Sequence, residues 1–105
     1  MDEQEFERKA GEVFDRVIDL FEDVDPDQAD VEQQSGDVVT IELPGHSRVV
    51  LNTQRPARQL WLAGGRRAWH FSFDPDSGQW LDDRSEGAEL FAVLRELCGA
   101  AGVTI

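Results

Sequence analysis

The spacing of apolar residues changes twice along this 105-residue chain, and each change marks a new kind of element. Phe6, Ala10, Val13, Phe14, Val17, Phe21 and Val24 recur at three- and four-residue steps, which predicts an amphipathic helix over residues 2–24. Asp2, three places before Glu5, resembles a capping box with Asp in place of Ser or Thr, and Pro26 is expected to end the helix. Residues 25–37 (DPDQADVEQQSGD) read as an acidic, polar connection. From Val38 the period falls to two. Strands are predicted over 38–43, 48–54, 58–63, 67–73 and 79–82, with turn residues at Pro44-Gly45, Pro56, Gly64-Gly65 and 74–78 between them. A second helix is predicted over 86–101, with Leu90, Phe91, Leu94, Leu97 and Cys98 on one stripe. Helix, antiparallel meander, helix is an α+β plan. It predicts a two-layer sandwich with both helices on one face of the sheet, built as one domain over 1–105. The other sheet face should be polar unless it binds something.

A composition 40% hydrophobic, with nine aromatics, is enough to fill such a core. The first ten residues lack a basic segment leading into an apolar one, so no signal peptide is expected. No apolar run approaches the roughly 18 residues of a membrane span. A single cysteine, Cys98, permits no internal disulfide, which fits a reducing, cytoplasmic setting. The net charge is −12, and its location is uneven: residues 1–42 hold 15 acids and 3 bases, residues 43–105 hold 7 of each. Nucleic acid and anionic membranes are poor partners for such a surface; metal cations and basic proteins are good ones.

Helical steps of about 100° place Glu12, Asp15, Asp19, Glu22 and Asp23 within an arc of about 100°, opposite the apolar set. Glu5 extends this arc, and Asp25, Asp27, Asp30 and Glu32 continue the charge past the helix. A solvated face is the usual explanation of an acidic helix. Here only Arg8 and Arg16 lie near the ridge, with Lys9 at its edge. The same-sign pairs 12/15, 15/19, 19/22 and 19/23 would each oppose the helix by about 0.2–0.5 kcal/mol. Such a face invites a cation or a basic partner. Carboxylates suit hard cations such as Ca²⁺, Mn²⁺ and iron. The acidic segment contains no EF-hand loop, and the chain has no Cys/His cluster for zinc. Ligands on an exposed helix do not enclose an ion, so the expected sites are weak, multiple and mostly hydrated. No Ser/His/Asp set, phosphate loop or closed metal site argues for an enzyme.

Leu60 and Leu62 share one face of their strand and Trp61 takes the other. With the leucines on the helices, Trp61 faces outward, either as a binding anchor or covered by neighbouring Arg side chains. Asn52 and Gln54 alternate with Leu51 and Thr53 and share that outer face. His70 alternates with Trp69 and Phe71 and also points outward, where a lone histidine is usually a bystander. Cys98, on the apolar stripe, reads as a core thiol and not a nucleophile.

These residues together resemble a known family. Val38-Val39-Thr40-Ile41, Asn52-Thr53-Gln54, Pro56, Gln59-Leu60-Trp61-Leu62, and Trp80 followed by Asp83-Arg84-Ser85, are similar to the frataxins, above all the bacterial CyaY type. The resemblance covers almost the whole chain. It implies a five- to seven-stranded antiparallel sheet. It implies iron (Fe²⁺ or Fe³⁺), bound weakly and reversibly at the acidic helix and the following strand edge. It implies a non-enzymatic protein that regulates or assists iron–sulfur cluster assembly by docking on the cysteine desulfurase and the scaffold protein. Asp19, Glu22, Asp23, Asp25 and Asp27 fall on family acidic positions, and Asp30 and Glu32 do so after a one-residue slip. Asn52, Gln54 and Trp61 match the sheet surface used for the scaffold. Ile18 and Thr53 depart from the family pattern, the first standing where relatives carry an acid and the second where they carry a base. The alternative reading is an acidic interaction module without a metal role. A monomer is expected.

Overall fold

The structure, a computed structural model, describes residues 1–84 and 87–105. Ser85 and Glu86, the end of the quoted 83–85 block and the expected start of the second helix, lie outside the described residues.

The first helix, α1 (Glu3–Leu20), begins where the sequence places it: Asp2 is the N-cap, and its carboxylate accepts a hydrogen bond from the Glu5 N–H at 2.8 Å. Phe6, Ala10, Val13, Phe14 and Val17 form its buried stripe. The helix ends four residues earlier than expected. Its last turn contains no base, while Asp19, Glu22, Asp23 and Asp25 crowd the C-terminal end, where the helix dipole is already negative. The chain leaves through tight turns, with the Phe21 N–H on the Ile18 carbonyl at 3.1 Å. Phe21 stays buried and Val24 packs against the core, so the apolar pattern persists without the helix.

Among the described residues six strands follow: β1 (Asp30–Ser35), β2 (Val38–Leu43), β3 (Ser47–Gln54), β4 (Gln59–Gly64), β5 (Arg67–Asp74) and β6 (Gln79–Asp82). They form one antiparallel meander in the order β1-β2-β3-β4-β5-β6. A short 3₁₀ turn, Pro44–His46, joins β2 to β3, with Gly45 at φ 76°. Strand β1 corrects the reading of 25–37 as a connection. Its sequence, DVEQQS, has one apolar residue, Val31, because an edge strand lying mostly in water needs no alternation. Backbone pairing to β2 from Asp30↔Glu42 to Gln33↔Val39 holds it in place.

The closing helix, α2 (Leu90–Ala100), starts later than 86. Gly87 has φ 79°, and Glu89 bridges to Leu81 in an extended conformation before its carboxylate caps the N–H groups of Phe91 and Ala92. Both helices cover the same face of the sheet. The core runs from Phe6, Phe14 and Val17 through Val39, Ile41, Leu51, Leu60, Leu62 and Phe71 to Leu90 and Leu94. Phe6 and Phe73 each meet Trp80 edge-on, at 6.1 and 5.5 Å between centroids. No helix among the described residues is long and apolar enough to cross a membrane.

Candidate functional site

The outer face of the sheet carries one of the two candidate surfaces. Register aligns Val38, Asn52, Trp61 and His70 across β2 to β5. Leu60 and Leu62 are buried under the helices, so Trp61 points outward as expected. It is half-buried, however, and among the described residues no arginine guanidinium stands in cation–π contact with it. The His70 imidazole stacks on its indole, 4.0 Å between centroids and 11° between planes. The expectation of a solvent-facing Trp61 is thereby corrected to a partly covered one, with the His70 ring, on the directly opposed position, as its cover. The Trp61 Nε1–H donates to Gln59 Oε1 at 2.9 Å. Asn52 and Gln54 share this face, partly buried, and Asn52 Nδ2 donates to the Thr53 carbonyl at 3.0 Å. Thr53 has the opposite parity. Its hydroxyl donates to Asp37 Oδ1 at 2.7 Å on the helix side, away from the outer face.

The acidic surface is the second candidate. Glu12, Asp15, Asp19, Glu22, Asp23, Asp25, Asp27, Asp30 and Glu32 are all exposed. They do not form one ridge on one helix. Glu22 and Asp23 lie in the turns beyond α1, because the helix stops at Leu20. Val31 pairs with buried Ile41, so Asp30 and Glu32 face the outer side of the sheet edge, opposite Glu42 and Thr40. Glu12 is partly neutralised by Arg8 at 3.2 Å and Lys9 at 3.9 Å. Arg16 is turned away, with its guanidinium 3.9 Å above the Phe91 ring. Among the described residues, no cation lies within ion-pair distance of the other eight acids, Asp15 to Glu32. No three His, Cys, Asp or Glu side chains among the described residues stand close enough to hold one metal ion. The donor set therefore suits hydrated hard cations held by one or two carboxylates and the surrounding field, with no preassembled cage. Screening should matter: raising salt from low to physiological, and adding divalent cations still more, should raise the melting temperature. A flat melting temperature across that range would contradict unrelieved repulsion on this surface.

A separate cluster ties α1 to the sheet. Arg55 Nη1 pairs with Glu7 and Nη2 with Asp37, each at 2.8 Å. The Thr53 hydroxyl, then the Arg55 guanidinium, hold the Asp37 carboxyl below the usual aspartate range. A depressed native pKa adds stability above the unfolded-state value near pH 4, and this is lost as pH falls through the native value. Asp37→Asn should thus be destabilising at pH 7, by under about 1 kcal/mol for so exposed a pair. The gap from the parent should close as pH drops below about 4, as followed by urea unfolding. Cys98 is fully buried, and burial pushes its thiol up to about 11, which leaves it an inert part of the core.

Reasoning from sequence alone gave Gln59, Ser72 and Asp83 no role at the site, although Gln59 and Asp83 stand in the blocks that carry the resemblance. Gln59 Nε2 donates to Ser72 Oγ at 3.1 Å and to Asp83 Oδ2, and Ser72 Oγ donates to Asp83 Oδ1 at 3.0 Å. The strand register, with Gln59 opposite Ser72, is the signal that could have joined the first two.

Comparison with known proteins agrees with this architecture. The family model of the frataxin-like domain matches residues 1–103. An iron–sulfur cluster assembly protein CyaY from Photobacterium profundum is 34% identical over 99 residues, covering 88% of this chain and 91% of the relative. The solved frataxin from Psychromonas ingrahamii superposes with a TM-score of 0.87 at 27% identity, over 100% of this chain and 96% of that one. Trimeric frataxin from the yeast Saccharomyces cerevisiae, complexed with ferrous iron, superposes with a TM-score of 0.76 at 31% identity, over 89% and 84%. Its trimeric state does not fit the expectation of a monomer. With the helices, the six-stranded sheet and nearly the full length of the family model all matched, this chain belongs to the frataxin family.

Proposed function

We propose that this chain is a non-enzymatic, iron-binding protein of iron–sulfur cluster assembly in the cytoplasm. It holds ferrous or ferric iron loosely on its acidic surface and docks on the cysteine desulfurase and the scaffold protein. The observation that carries this reading is the run of exposed carboxylates without ion-pair partners from Asp15 to Glu32, in a family whose relatives include a CyaY cluster assembly protein and an iron-complexed frataxin. Exposed carboxylates with no enclosing shell exchange a metal readily, as a protein that hands on or senses iron requires. The same field steers a basic partner, with an on-rate that falls as salt rises. The outer sheet face, with Trp61 flanked by Asn52 and Gln54, is the surface for the scaffold. Half-buried aromatics on open sheets make binding anchors.

The second reading keeps the docking and drops the metal. It draws on the observation that no three ligands are gathered in one place among the described residues. An iron titration followed by ¹H–¹⁵N NMR separates the two. Broadening confined to residues 15–32 at low iron equivalents supports an iron protein. Broadening spread over every carboxylate, including Asp74, Asp76 and Glu96, supports the interaction module alone.

A further inference from the structure

The Trp61 indole is held at two points, and the second is itself held in place. Its face lies on His70, its N–H is accepted by Gln59, and the two hydrogen-bonding ends of Gln59 are already assigned. A free glutamine amide offers its oxygen or its NH₂ group to a neighbour about equally well. Here the choice is removed. Asp83 carries a carboxylate, which when ionised only accepts, so the amide must present its NH₂ group to it. The same NH₂ group reaches Ser72 Oγ, whose own hydrogen goes to Asp83 Oδ1. The amide oxygen is then left pointing at the indole N–H. The Asp83 carboxylate therefore decides, from two side chains away, which end of Gln59 meets Trp61. The Asp83 backbone N–H, bound to the His70 carbonyl at 3.0 Å, ties the same turn to the strand bearing the stacked imidazole.

We propose that Asp83 is a positioning residue for the docking face, orienting Trp61 through Gln59 and Ser72 so that the indole meets its partner in one fixed pose. The docking role of that face rests on the function proposed above; the orientation of the indole does not. Preorganisation of an aromatic anchor lowers the ordering cost of association. The loss on breaking one such hydrogen bond is of the order of three- to tenfold in affinity.

The test uses the full chain with Asp83→Ala, Asp83→Asn and Gln59→Leu. The backbone tie at position 83 survives all three substitutions, and Trp69 and Trp80 are buried on the opposite face of the sheet. In ¹H–¹⁵N spectra, the Trp61 indole N–H signal should move and exchange faster with water in Asp83→Ala and Gln59→Leu. The Trp69 and Trp80 signals should stay in place. Asp83→Asn, which keeps one acceptor, should fall between parent and Ala. Affinity for the scaffold should drop about three- to tenfold in Asp83→Ala. It should drop no further when Asp83→Ala is added to Trp61→Ala. A Trp61 signal unmoved in both Asp83→Ala and Gln59→Leu overturns the proposal, as does a loss that shifts all three indole signals together. If the Trp61 signal moves while Trp61→Ala binds the scaffold as well as the parent, the positioning stands and the docking reading of the face fails.

Discussion

A chain carrying Asp19→Lys, Glu22→Lys and Asp23→Lys together is expected to lose both iron association and desulfurase docking, with a fold as firm as the parent's or firmer. The three substitutions halve the net charge of −12 and place the reversal within the acidic surface. Asp19 sits in the last turn of α1, which holds no base, and Glu22 and Asp23 follow directly beyond it. A cation at that helix end adds about 0.3–1 kcal/mol, and removing two like charges some 6 Å apart relieves roughly 0.7 kcal/mol in a water-like dielectric. Desulfurase affinity is read by titration calorimetry, iron by NMR broadening, and stability by thermal melting. Loss of iron binding with desulfurase docking unchanged would show that the two uses do not share a surface, and docking would have to be sought on the sheet.

Trp61→Ala should separate the second surface from the first. It should weaken the scaffold complex by over about 1 kcal/mol, a factor of five or more, while iron association stays as it was. The cost to the fold should be about 1–2 kcal/mol, well short of the roughly 3–5 kcal/mol of a fully buried tryptophan. That remaining cost has a named source. Removing the indole uncovers the His70 ring and leaves Gln59 Oε1 without its donor. His70→Ala should reproduce part of it. A loss of 3–5 kcal/mol in Trp61→Ala would mean that the indole serves the core.

Elements whose apolar residues must be buried were legible in the sequence. Strands β2 and β6 fall where the alternation predicts them, β3 and β5 differ by one residue at one end, and β4 is shifted by one residue at both ends. The start of α1 was legible because a capping aspartate leaves a local trace. Its end was not: Phe21 and Val24 continue the three- and four-residue steps, but burial alone does not keep a turn helical against four acids at a negative helix end. Strand β1 left no signal because backbone pairing, not side-chain burial, holds DVEQQS at the edge. The same blindness affected the sites. Parity placed Trp61, Asn52 and Gln54 on the outer face. The half-burial of Trp61 depends on which residue β5 sets against it, a matter of register between strands. The acids were found as a set, yet their division between α1, the turns after it and the outer edge of β1 follows from where the helix stops and where β1 pairs.

The central claim is that this chain acts on cluster assembly through its acidic surface. It is tested most directly by sulfide and cluster formation in a reconstituted system of desulfurase, scaffold, iron and cysteine. Adding the chain should change the rate in a saturable way, and the Asp19→Lys, Glu22→Lys, Asp23→Lys variant should leave the rate where it was without any addition. A rate unaffected by the parent chain at saturating concentration, or changed equally by parent and variant, would contradict the account.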